Sequence, residues 1–503
     1  MKAYEKLMGK YREIALIDTT IQMMNWDFET YMPPKGMTLR SDQLGLLERL
    51  RHRMLIGDEL ANLIRESEKD NDSTDEITSR NLYLIRRERE IAVSMPEKLV
   101  ADLATQQAVS RDAWAKAKEA KKWDIFGPEL EKLVDLSIKR AEATMEARGA
   151  ACVFDAMIDD YEPGMKNEQA ASLLTDLRMA LVPLADRFVE ASRRVDASCI
   201  RRSVPLSIQR EVVRDAVNLL GYDTTSDEAR GRIDDTMHPF TTGYLDDVRI
   251  ALRFSDLGIM DSMMGGLHEA GHALYGQNIN HDWMYQPIAS GASMGVHESM
   301  SRFPENMIGL SREFWSLYLP RLKRLTGTVF SDVSLDDLVM ALNKIERSKI
   351  RVKADEVTYS LHIAIRFEIE QELFSGKTTV RELPQMWNDL YDRYLHVEIM
   401  DDAEGVLQDI HWSAGAFGYW QSYVMGNVYD GMYLKKLEKV MPEWPREVEA
   451  GRPGAVIGWL RDNVQRYGAL YDPATLVERV TGSSLTSEPF VKYLERKHSA
   501  LWG

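Results

Sequence analysis

Residues 260–277 read Met-Asp-Ser-Met-Met-Gly-Gly-Leu-His-Glu-Ala-Gly-His-Ala-Leu-Tyr-Gly-Gln, and this stretch determines how the rest of the chain is interpreted. Its periodicity predicts a helix, on which His268 and His272 lie four positions apart. Such residues differ by about 40° in direction and about 6 Å in height, so both imidazoles can bind one metal ion while Glu269 lies beside it. The sequence therefore predicts a metal-binding helix.

The chemistry of this helix favours a hydrolytic zinc site. Two imidazole nitrogens and an open coordination position suit Zn²⁺, which lowers the pKa of its bound water to about 7. Glu269 can then take the proton as the water attacks a polarised carbonyl, which is the apparatus of peptide hydrolysis. The pattern arises by chance roughly 0.03 times in a chain of this composition. The alternative is a pair of surface histidines that bind nothing.

A third ligand is expected from a second helix, predicted over Ser293–Asn306. The extended zinc pattern, with Gly and His three and six residues after the second histidine, fails because those positions are Tyr275 and Asn278. Glu298, which follows His272 by 26 residues, would instead complete a His₂Glu site with one place left for water.

The neighbours of Glu298 are interpreted by helical geometry. His297 competes for the metal, but adjacent helical residues diverge by about 100°, so only one of the two can face it. Arg302 and Glu305 share a stripe with Glu298. For Glu305 we expect a helix-face ion pair, whereas contact of Arg302 with the metal ligand stays open.

Helical patterns dominate the chain on both sides of this region, for example over Leu39–Met54. The exception is Asp247–Phe254, where alternating residues predict a strand with one buried face. Loops are predicted at 67–78, 159–164, 196–205 and 443–454. The fold class is therefore mainly α with a small sheet beside the metal-binding helix. A chain of 503 residues exceeds the roughly 250–300 residues of a single core, so two helical lobes are expected within one domain over residues 1–503.

Composition and charge exclude several protein classes. Hydrophobic residues make up 44% and charged residues 28%, which is typical of a globular protein. The net charge of −16 disfavours nucleic acid and anionic membranes as partners. Neither a signal peptide nor a membrane span is predicted. Cys152 and Cys199 are interpreted as reduced thiols of a cytoplasmic protein, with one disulfide as the alternative.

The motifs resemble those of a known family. His268-Glu-Ala-Gly-His272 followed by His297-Glu-Ser-Met-Ser-Arg302 is similar to the metal-binding region of the carboxypeptidase Taq family of zinc metallocarboxypeptidases. The resemblance runs from about residue 20 to the C-terminus and is far more specific than the zinc helix alone. Further matches, in the family's order, are Trp26–Pro34, Tyr161–Gly164, His238–Phe240, Asp247–Ile250, Ile350–Asp355, Gly405–Trp412 and Phe417–Tyr419.

The resemblance implies a helical metallopeptidase fold with a deep groove between two lobes, related to angiotensin-converting enzyme and the thimet-type oligopeptidases. It implies removal of single residues from peptide C-termini with broad tolerance, zinc as the metal with Co²⁺ as a working substitute, and a homodimer. The sequence departs from the family at Ala251-Leu252, where threonines are common, and at Trp420-Gln421-Ser422, where Phe-Pro-Thr is more usual. Both departures are expected near the groove, and they leave the metal site intact.

A carboxypeptidase has to recognise a free terminal carboxylate, which the planar fork of an arginine does best. Arg351 is the candidate. As a helix, residues 350–364 would carry an apolar face and a polar stripe formed by Arg351, Asp355, Thr358 and His362. An ordinary Arg351–Asp355 surface pair is the alternative, but the family match favours a carboxylate anchor.

Hydrolysis builds negative charge on an oxygen, so donors besides the metal are expected. His411, Tyr419 and Tyr423 resemble the transition-state-binding segment of the wider helical metallopeptidase group. We predict catalytic roles for His411 and Tyr423, and substrate contacts for Tyr419 and for His238 in the loop before Pro239. For any single tyrosine, packing in the core is the alternative.

Other possibilities remain open at this point. The predicted strand could be an edge that pairs with an extended peptide, and Arg249 on it could face the zinc helix or water. An oligopeptidase or a dipeptidyl carboxypeptidase could use the same metal centre. In a non-catalytic protein, zinc could clamp the helices, although closed structural sites normally have four protein ligands and this one offers three.

Overall fold

The computed structural model describes residues 3–70, 75–255 and 258–503. The chain is 70% helical with a three-stranded sheet, which confirms the prediction of a mainly α fold with a small sheet. The helices of the described ranges are α1 (Ala3–Thr30), α2 (Met37–Ile56), α3 (Asp58–Asp70), α4 (Glu76–Ser94), α5 (Glu97–Ala120), α6 (Gly127–Arg148), α7 (Val153–Asp159), α8 (Asn167–Ser192), α9 (Leu206–Leu220), α10 (Ile259–Asn278), α11 (Met294–Arg302), α12 (Arg312–Thr326), α13 (Leu335–Leu342), α14 (Tyr359–Phe374), α15 (Leu383–Leu395), α16 (Trp420–Val440), α17 (Trp444–Glu449), α18 (Gly454–Asn463), α19 (Pro473–Thr481) and α20 (Glu488–Trp502).

The helices form because each buries an apolar face. Helix α9, for example, buries Val213, Val217 and Leu220 at helical spacing. A large hydrophobic core contains residues of the helices from α5 to α20 and of the sheet. The N-terminal helices enclose a separate, smaller cluster, made of Leu7, Ile14, Leu55, Leu60, Ile64, Leu82 and Ile85. The arrangement in two lobes stays a prediction.

The sheet consists of β1 (Gly231–Asp235), β2 (Phe240–Tyr244) and β3 (Asp247–Leu252). Strand β3 is central, parallel to β1 and antiparallel to β2. The suggestion that the predicted strand is an edge is therefore wrong, and β1 and β2 form the edges. The tight turn into β3 depends on Gly243, whose φ is 117° and whose missing Cβ would lie 2.0 Å from the Asp247 carbonyl oxygen.

Helices α10 and α11 approach each other very closely. A Cβ on Gly271 would lie 2.2 Å from the Met300 carbonyl oxygen, so only glycine allows this contact. Helix α16 packs on the other side of α11 at Gly426, where a Cβ would lie 2.8 Å from the Cγ of Glu298. Small residues thus set the distance between the three helices that carry most of the candidate site.

Most predicted helices match the structure, but two of the predicted loops do not. The segment at 67–78 begins inside α3, and its residues 71–74 lie outside the described ranges. The segment at 443–454 contains α17, so its prediction as a loop is wrong. Cys152 is exposed and Cys199 is buried, and both are free thiols. Within the described ranges, no helix combines the length and apolar character needed to cross a bilayer.

Candidate metal centre and active site

The structure brings the three predicted metal ligands together. Ligand atoms of His268, His272 and Glu298 all lie within 4.8 Å of one another. The Oε2 of Glu298 lies 3.7 Å from the Nε2 of His268 and 3.6 Å from the Nε2 of His272. This spacing follows from one helical turn of α10 and from the close approach of α11. Two imidazoles and one carboxylate are the donor set of a zinc site with an open position, so the residues present fit Zn²⁺.

The Nδ1 atoms of His268 and His272, which lie away from the metal position, also have hydrogen-bond partners. Glu305 lies 2.8 Å from the Nδ1 of His268, and the Nδ1 of His297 lies 2.8 Å from the Nδ1 of His272. A carboxylate on Nδ1 keeps the proton there and directs the Nε2 lone pair of His268 to the metal position. Burial, and then the neighbouring imidazole, lower the pKa of His297 to about 3, so this ring is neutral. His297 therefore bonds the candidate ligand His272 and lies outside the group that could hold a metal ion.

Glu305 and Arg302 both contact the candidate metal ligands. Arg302 donates through Nε to Glu298 over 2.8 Å and lies 3.3 Å from Glu305. The interpretation of Glu305 as a simple helix-face ion pair is thus wrong, because its carboxylate also bonds His268. Burial alone would raise the pKa of Glu298, but His268 and Arg302 hold it well below its usual range. The ligand is therefore an ionised carboxylate with a fixed orientation.

Glu269 is buried beside the metal position and bonds to the sheet. The hydroxyl of Thr241, on β2, lies 2.6 Å from the Oε2 of Glu269 and donates to it. A charge-assisted bond of this kind fixes the carboxylate and leaves Oε1 free to accept a proton. The sequence interpretation missed Thr241, which lies 28 residues before Glu269 on a strand that it did not predict. The local signal for this strand was the pair of threonines shortly after Pro239.

His411, Tyr419 and Tyr423 form one cluster at the start of α16. The Nε2 of His411 lies 3.1 Å from the Tyr423 hydroxyl oxygen, and the rings of Tyr419 and Tyr423 pack edge to face with centroids 4.9 Å apart. Burial lowers the pKa of His411 to about 4, so it is neutral at pH 7. Burial, and then the charge of Glu298, raise the pKa of Tyr419 to about 12. His411 and Tyr419 are therefore uncharged side chains, and Tyr419 lies near the candidate ligand Glu298.

The loop that carries His411 and Tyr419 is held by a buried carboxyl group that sequence interpretation also missed. Glu370, on α14, accepts from the Trp412 indole and from the Gly418 backbone N–H, each over 2.8 Å. Burial raises the pKa of Glu370 to about 8. Glu370, a side chain of the neighbouring helix α14, therefore holds this loop in place.

Arg351 is buried but does not lie on a helix. Its segment, Arg351–Lys353, is a short 3₁₀ turn, and α14 begins only at Tyr359. The predicted polar stripe, and the alternative of an Arg351–Asp355 pair, are therefore wrong. The Nε and Nη2 of Arg351 instead lie 3.0 and 2.9 Å from the Oδ1 of Asp409. Its guanidinium also lies over the Tyr423 ring, 5.1 Å from the centroid.

Asp409 is shared between two arginines. Arg366, which is fully buried on α14, lies 2.6 Å from the Oδ2 of Asp409. Burial by itself would raise the pKa of Asp409, but Arg366 and Arg351 hold it well below its usual range. Asp409 takes the Nε side of the Arg351 fork, and the Tyr359 hydroxyl oxygen lies 3.4 Å from Nη1. One N–H on each of Nη1 and Nη2 is then left for a second carboxylate.

The structure does not bring His238 into this group. Its side chain is exposed in the bend between β1 and β2, and in the described ranges it forms no hydrogen bond or ion pair with the predicted ligands. Arg249 binds both oxygens of Asp247 over 2.7 Å and stacks 4.2 Å from the Trp26 ring centroid. Arg249 thus faces α1 and not α10. Trp26, the ring on which it stacks, is half-buried.

Cavities adjoin both ends of the α10–α11 pair. One, of about 680 Å³, is lined by Met264, Arg302 and Tyr359 among others. The other, of about 270 Å³, is lined by Gly276 and His297 together with residues of α1 and β2. The lining of neither cavity includes His268, His272 or Glu298.

Comparison with known proteins agrees with this geometry. The family model of the carboxypeptidase Taq (M32) metallopeptidases matches residues 6–498. "Thermostable carboxypeptidase 1" of Thermus thermophilus is 34% identical over 510 residues, covering 100% of this chain and 99% of the relative. "Carboxypeptidase 1" of Bacillus subtilis is 33% identical over 501 residues, covering 99% of each.

Solved structures show the same similarity in three dimensions. The M32 carboxypeptidase from Deinococcus radiodurans R1 superposes with a TM-score of 0.95 at 33% identity, covering 100% of both chains. Metallocarboxypeptidase 1 of Trypanosoma cruzi gives a TM-score of 0.93 at 27% identity, covering 99% of both. Sequence and fold therefore agree over the full length, and the chain belongs to the carboxypeptidase Taq family of metallopeptidases.

Proposed function

We propose that this protein is a zinc-dependent metallocarboxypeptidase that releases single amino acids from peptide C-termini with broad specificity. The observation that carries the proposal is the grouping of His268, His272 and Glu298 within 4.8 Å, with Glu269 buried beside them. Family membership supports a metal-dependent hydrolase of peptide bonds. The identity of the metal, the general base and the breadth of specificity are proposals.

The side chains have distinct roles in the proposed reaction. Zinc bound by His268, His272 and Glu298 would polarise the scissile carbonyl and lower the pKa of its water to about 7. Glu269 accepts the proton of that water at Oε1 while Thr241 holds Oε2. The protonated Glu269 then donates to the leaving amine, which completes the proton transfer.

Tyr423 and His411 stabilise the negative charge that develops on the carbonyl oxygen. In the proposed arrangement His411 donates its Nε2–H to the Tyr423 oxygen over 3.1 Å, which orients the Tyr423 O–H toward the carbonyl oxygen before the substrate arrives. Tyr419 and His238 are proposed as substrate contacts, with Tyr419 the better supported because it packs on Tyr423. Arg351 binds the terminal carboxylate through the end of its fork.

The test of the general base is Glu269→Gln. This variant keeps the side-chain volume and all three metal ligands, so its zinc content should be unchanged while kcat falls about 10³-fold. Zinc is measured by atomic emission and kcat with a blocked dipeptide. Near-normal turnover at full zinc content would reject the assignment.

Mass spectrometry of digested peptides separates the proposed activity from its nearest alternatives. Single-residue steps from the C-terminus support a carboxypeptidase, whereas two-residue steps or internal cuts support a dipeptidyl carboxypeptidase or an oligopeptidase. Chelation with EDTA tests whether the metal is catalytic. A catalytic site should lose activity with most helicity retained and recover with Zn²⁺ or Co²⁺, whereas a structural clamp should unfold.

A homodimer in the cytoplasm that acts on peptides completes the proposal. Free Cys152 and Cys199 support a reducing compartment, and the net charge of −16 disfavours nucleic acid as a partner. Light scattering at several protein concentrations tests the dimer, and a stable monomer would contradict it.

A further inference from the structure

The turn Tyr161-Glu162-Pro163-Gly164 has no part in the proposed chemistry, yet it lies against the helix that carries Glu298. Glu162 is fully buried. Its Oε2 accepts from the Gly295 N–H over 3.0 Å, and its Oε1 accepts from the Ser293 hydroxyl over 2.9 Å. The Tyr429 hydroxyl, from α16, is also bonded to Oε1. One carboxyl group thus joins the start of α11 to α16.

The first turn of α11 is completely capped by these contacts. The Met294 N–H donates to the Tyr161 carbonyl oxygen over 2.9 Å, and the Val296 N–H donates to the Ser293 hydroxyl over 3.0 Å. Together with the bond from Gly295, each of the first three N–H groups of the helix has a partner. Glu298 follows Gly295 by three residues, less than one turn of the helix.

The contact leaves no space for adjustment. A Cβ at Gly295 would lie 2.6 Å from the Oε2 of Glu162 and 3.0 Å from the Cβ of Met425. The turn itself is fixed, because Asp159 accepts from the Gly164 N–H over 3.0 Å and pairs with Arg148 over 3.1 Å. The position of α11 along its own axis is therefore set from a rigid base.

We propose that Glu162 is a positioning residue that fixes the axial position of α11, and through it the coordination geometry of Glu298. The proposal rests on the metal centre of the proposed function. All of the Glu162 partners are donors, which matches an acceptor-only carboxylate at the positive end of a helix.

The test measures metal binding without substrate. Glu162→Ala should weaken Zn²⁺ affinity about tenfold, the lower limit of the range for groups bonded directly to metal ligands, because Glu162 acts on Glu298 through α11. It should also change the visible absorption spectrum of the Co²⁺-loaded protein. Glu162→Gln should restore most of both, because its amide oxygen can accept from Gly295 while the two hydroxyls accept from its NH₂. Affinity is measured by competition with a chromogenic chelator.

Asp155→Ala is the matched control. Asp155 is also a buried carboxylate, and it accepts from the Asn167 N–H over 2.7 Å at the start of α8, which carries no metal ligand. This control should lower thermal stability and leave the zinc affinity and the cobalt spectrum unchanged. If Glu162→Ala does not fold, Ser293→Ala should weaken zinc binding several-fold in the same direction.

The inference is overturned if the Glu162 and Ser293 variants bind zinc with wild-type affinity and give the wild-type cobalt spectrum. It is also overturned if Asp155→Ala, at an equal loss of thermal stability, weakens zinc binding as much as Glu162→Ala does. Because both measurements are made without peptide, a wild-type protein that binds zinc but cleaves no peptide would reject the proposed function and leave this inference standing.

Discussion

Replacing Arg351 by methionine should abolish the preference for a free C-terminal carboxylate. The substitution keeps the length of an unbranched side chain and removes the guanidinium. Asp409 retains Arg366 at 2.6 Å, so the variant does not leave Asp409 buried without a partner. The effect on substrate is therefore separable from a general loss of structure.

The magnitude follows from the geometry of the fork. Asp409 uses the Nε side of Arg351, which leaves two N–H groups at the end to bind two carboxylate oxygens. Hydrogen bonds to charged groups contribute about 1.5–3 kcal/mol each, so two at the lower limit contribute about 3 kcal/mol. This corresponds to a loss of about 10²-fold in kcat/KM.

The assay compares a blocked dipeptide acid with its C-terminal amide. Arg351→Met should lose about 10²-fold in kcat/KM on the acid and much less on the amide. Arg249→Met is the control, because Arg249 also pairs with an aspartate and stacks on an aromatic ring but faces α1. Equal losses on acid and amide, or the same pattern in the control, would refute the role of Arg351.

Three further substitutions test the support of the site and of the fold. Thr241→Val removes the 2.6 Å bond to the proposed general base and should lower kcat about tenfold at unchanged zinc content. Gly271→Ala should abolish zinc binding, because the added Cβ would lie 2.2 Å from a carbonyl oxygen of α11. The control is Gly265→Ala, whose added Cβ would have no atom within 4 Å; it should raise the free energy of unfolding by up to about 1 kcal/mol. The third prediction concerns Glu356 and pH. Burial alone would raise the pKa of Glu356, but the charge of Lys497 lowers it from 4.5 to about 2. The wild type should therefore lose about 3 kcal/mol of unfolding free energy as the pH falls from about 5 to 2, and Glu356→Gln should not show this loss in urea titrations.

The candidate metal ligands could be predicted because two of them are placed by a single helical turn and the third is a carboxylate on the next predicted helix. His268 and His272 lie on one face of any helix, and Glu298 lies on the next predicted helix in the chain. The groups that hold them could not be predicted in the same way. Glu305 and His297 bond the outer nitrogens only because α10 and α11 approach at Gly271, and this contact depends on the packing of the whole core.

The Arg351 segment shows why helical periodicity misled the prediction there. Residues 350–364 have apolar residues at helical spacing, but Asp355 accepts from the backbone N–H groups of Val357 and Thr358, each over 2.9 Å. Such a bond offers the backbone a turn in place of a helix and delays the start of α14. An aspartate three residues before a threonine was the local signal. Freed from the helix, Arg351 can reach Asp409, which lies 58 residues further along the chain.

The two parts of the site thus differ in what holds them. The candidate metal ligands lie on helices, where one turn fixes the separation of His268 and His272. Thr241, Arg351 and His411 instead lie on a strand, a 3₁₀ turn and a loop. In a non-helical segment the backbone alone does not orient a side chain, so each of these groups needs a buried partner from another part of the chain. Asp409 holds Arg351 in this way, and Glu370 holds the loop of His411. Changes in these partners should therefore alter kcat and KM at full zinc content, whereas changes along α11 should first reduce the affinity for zinc.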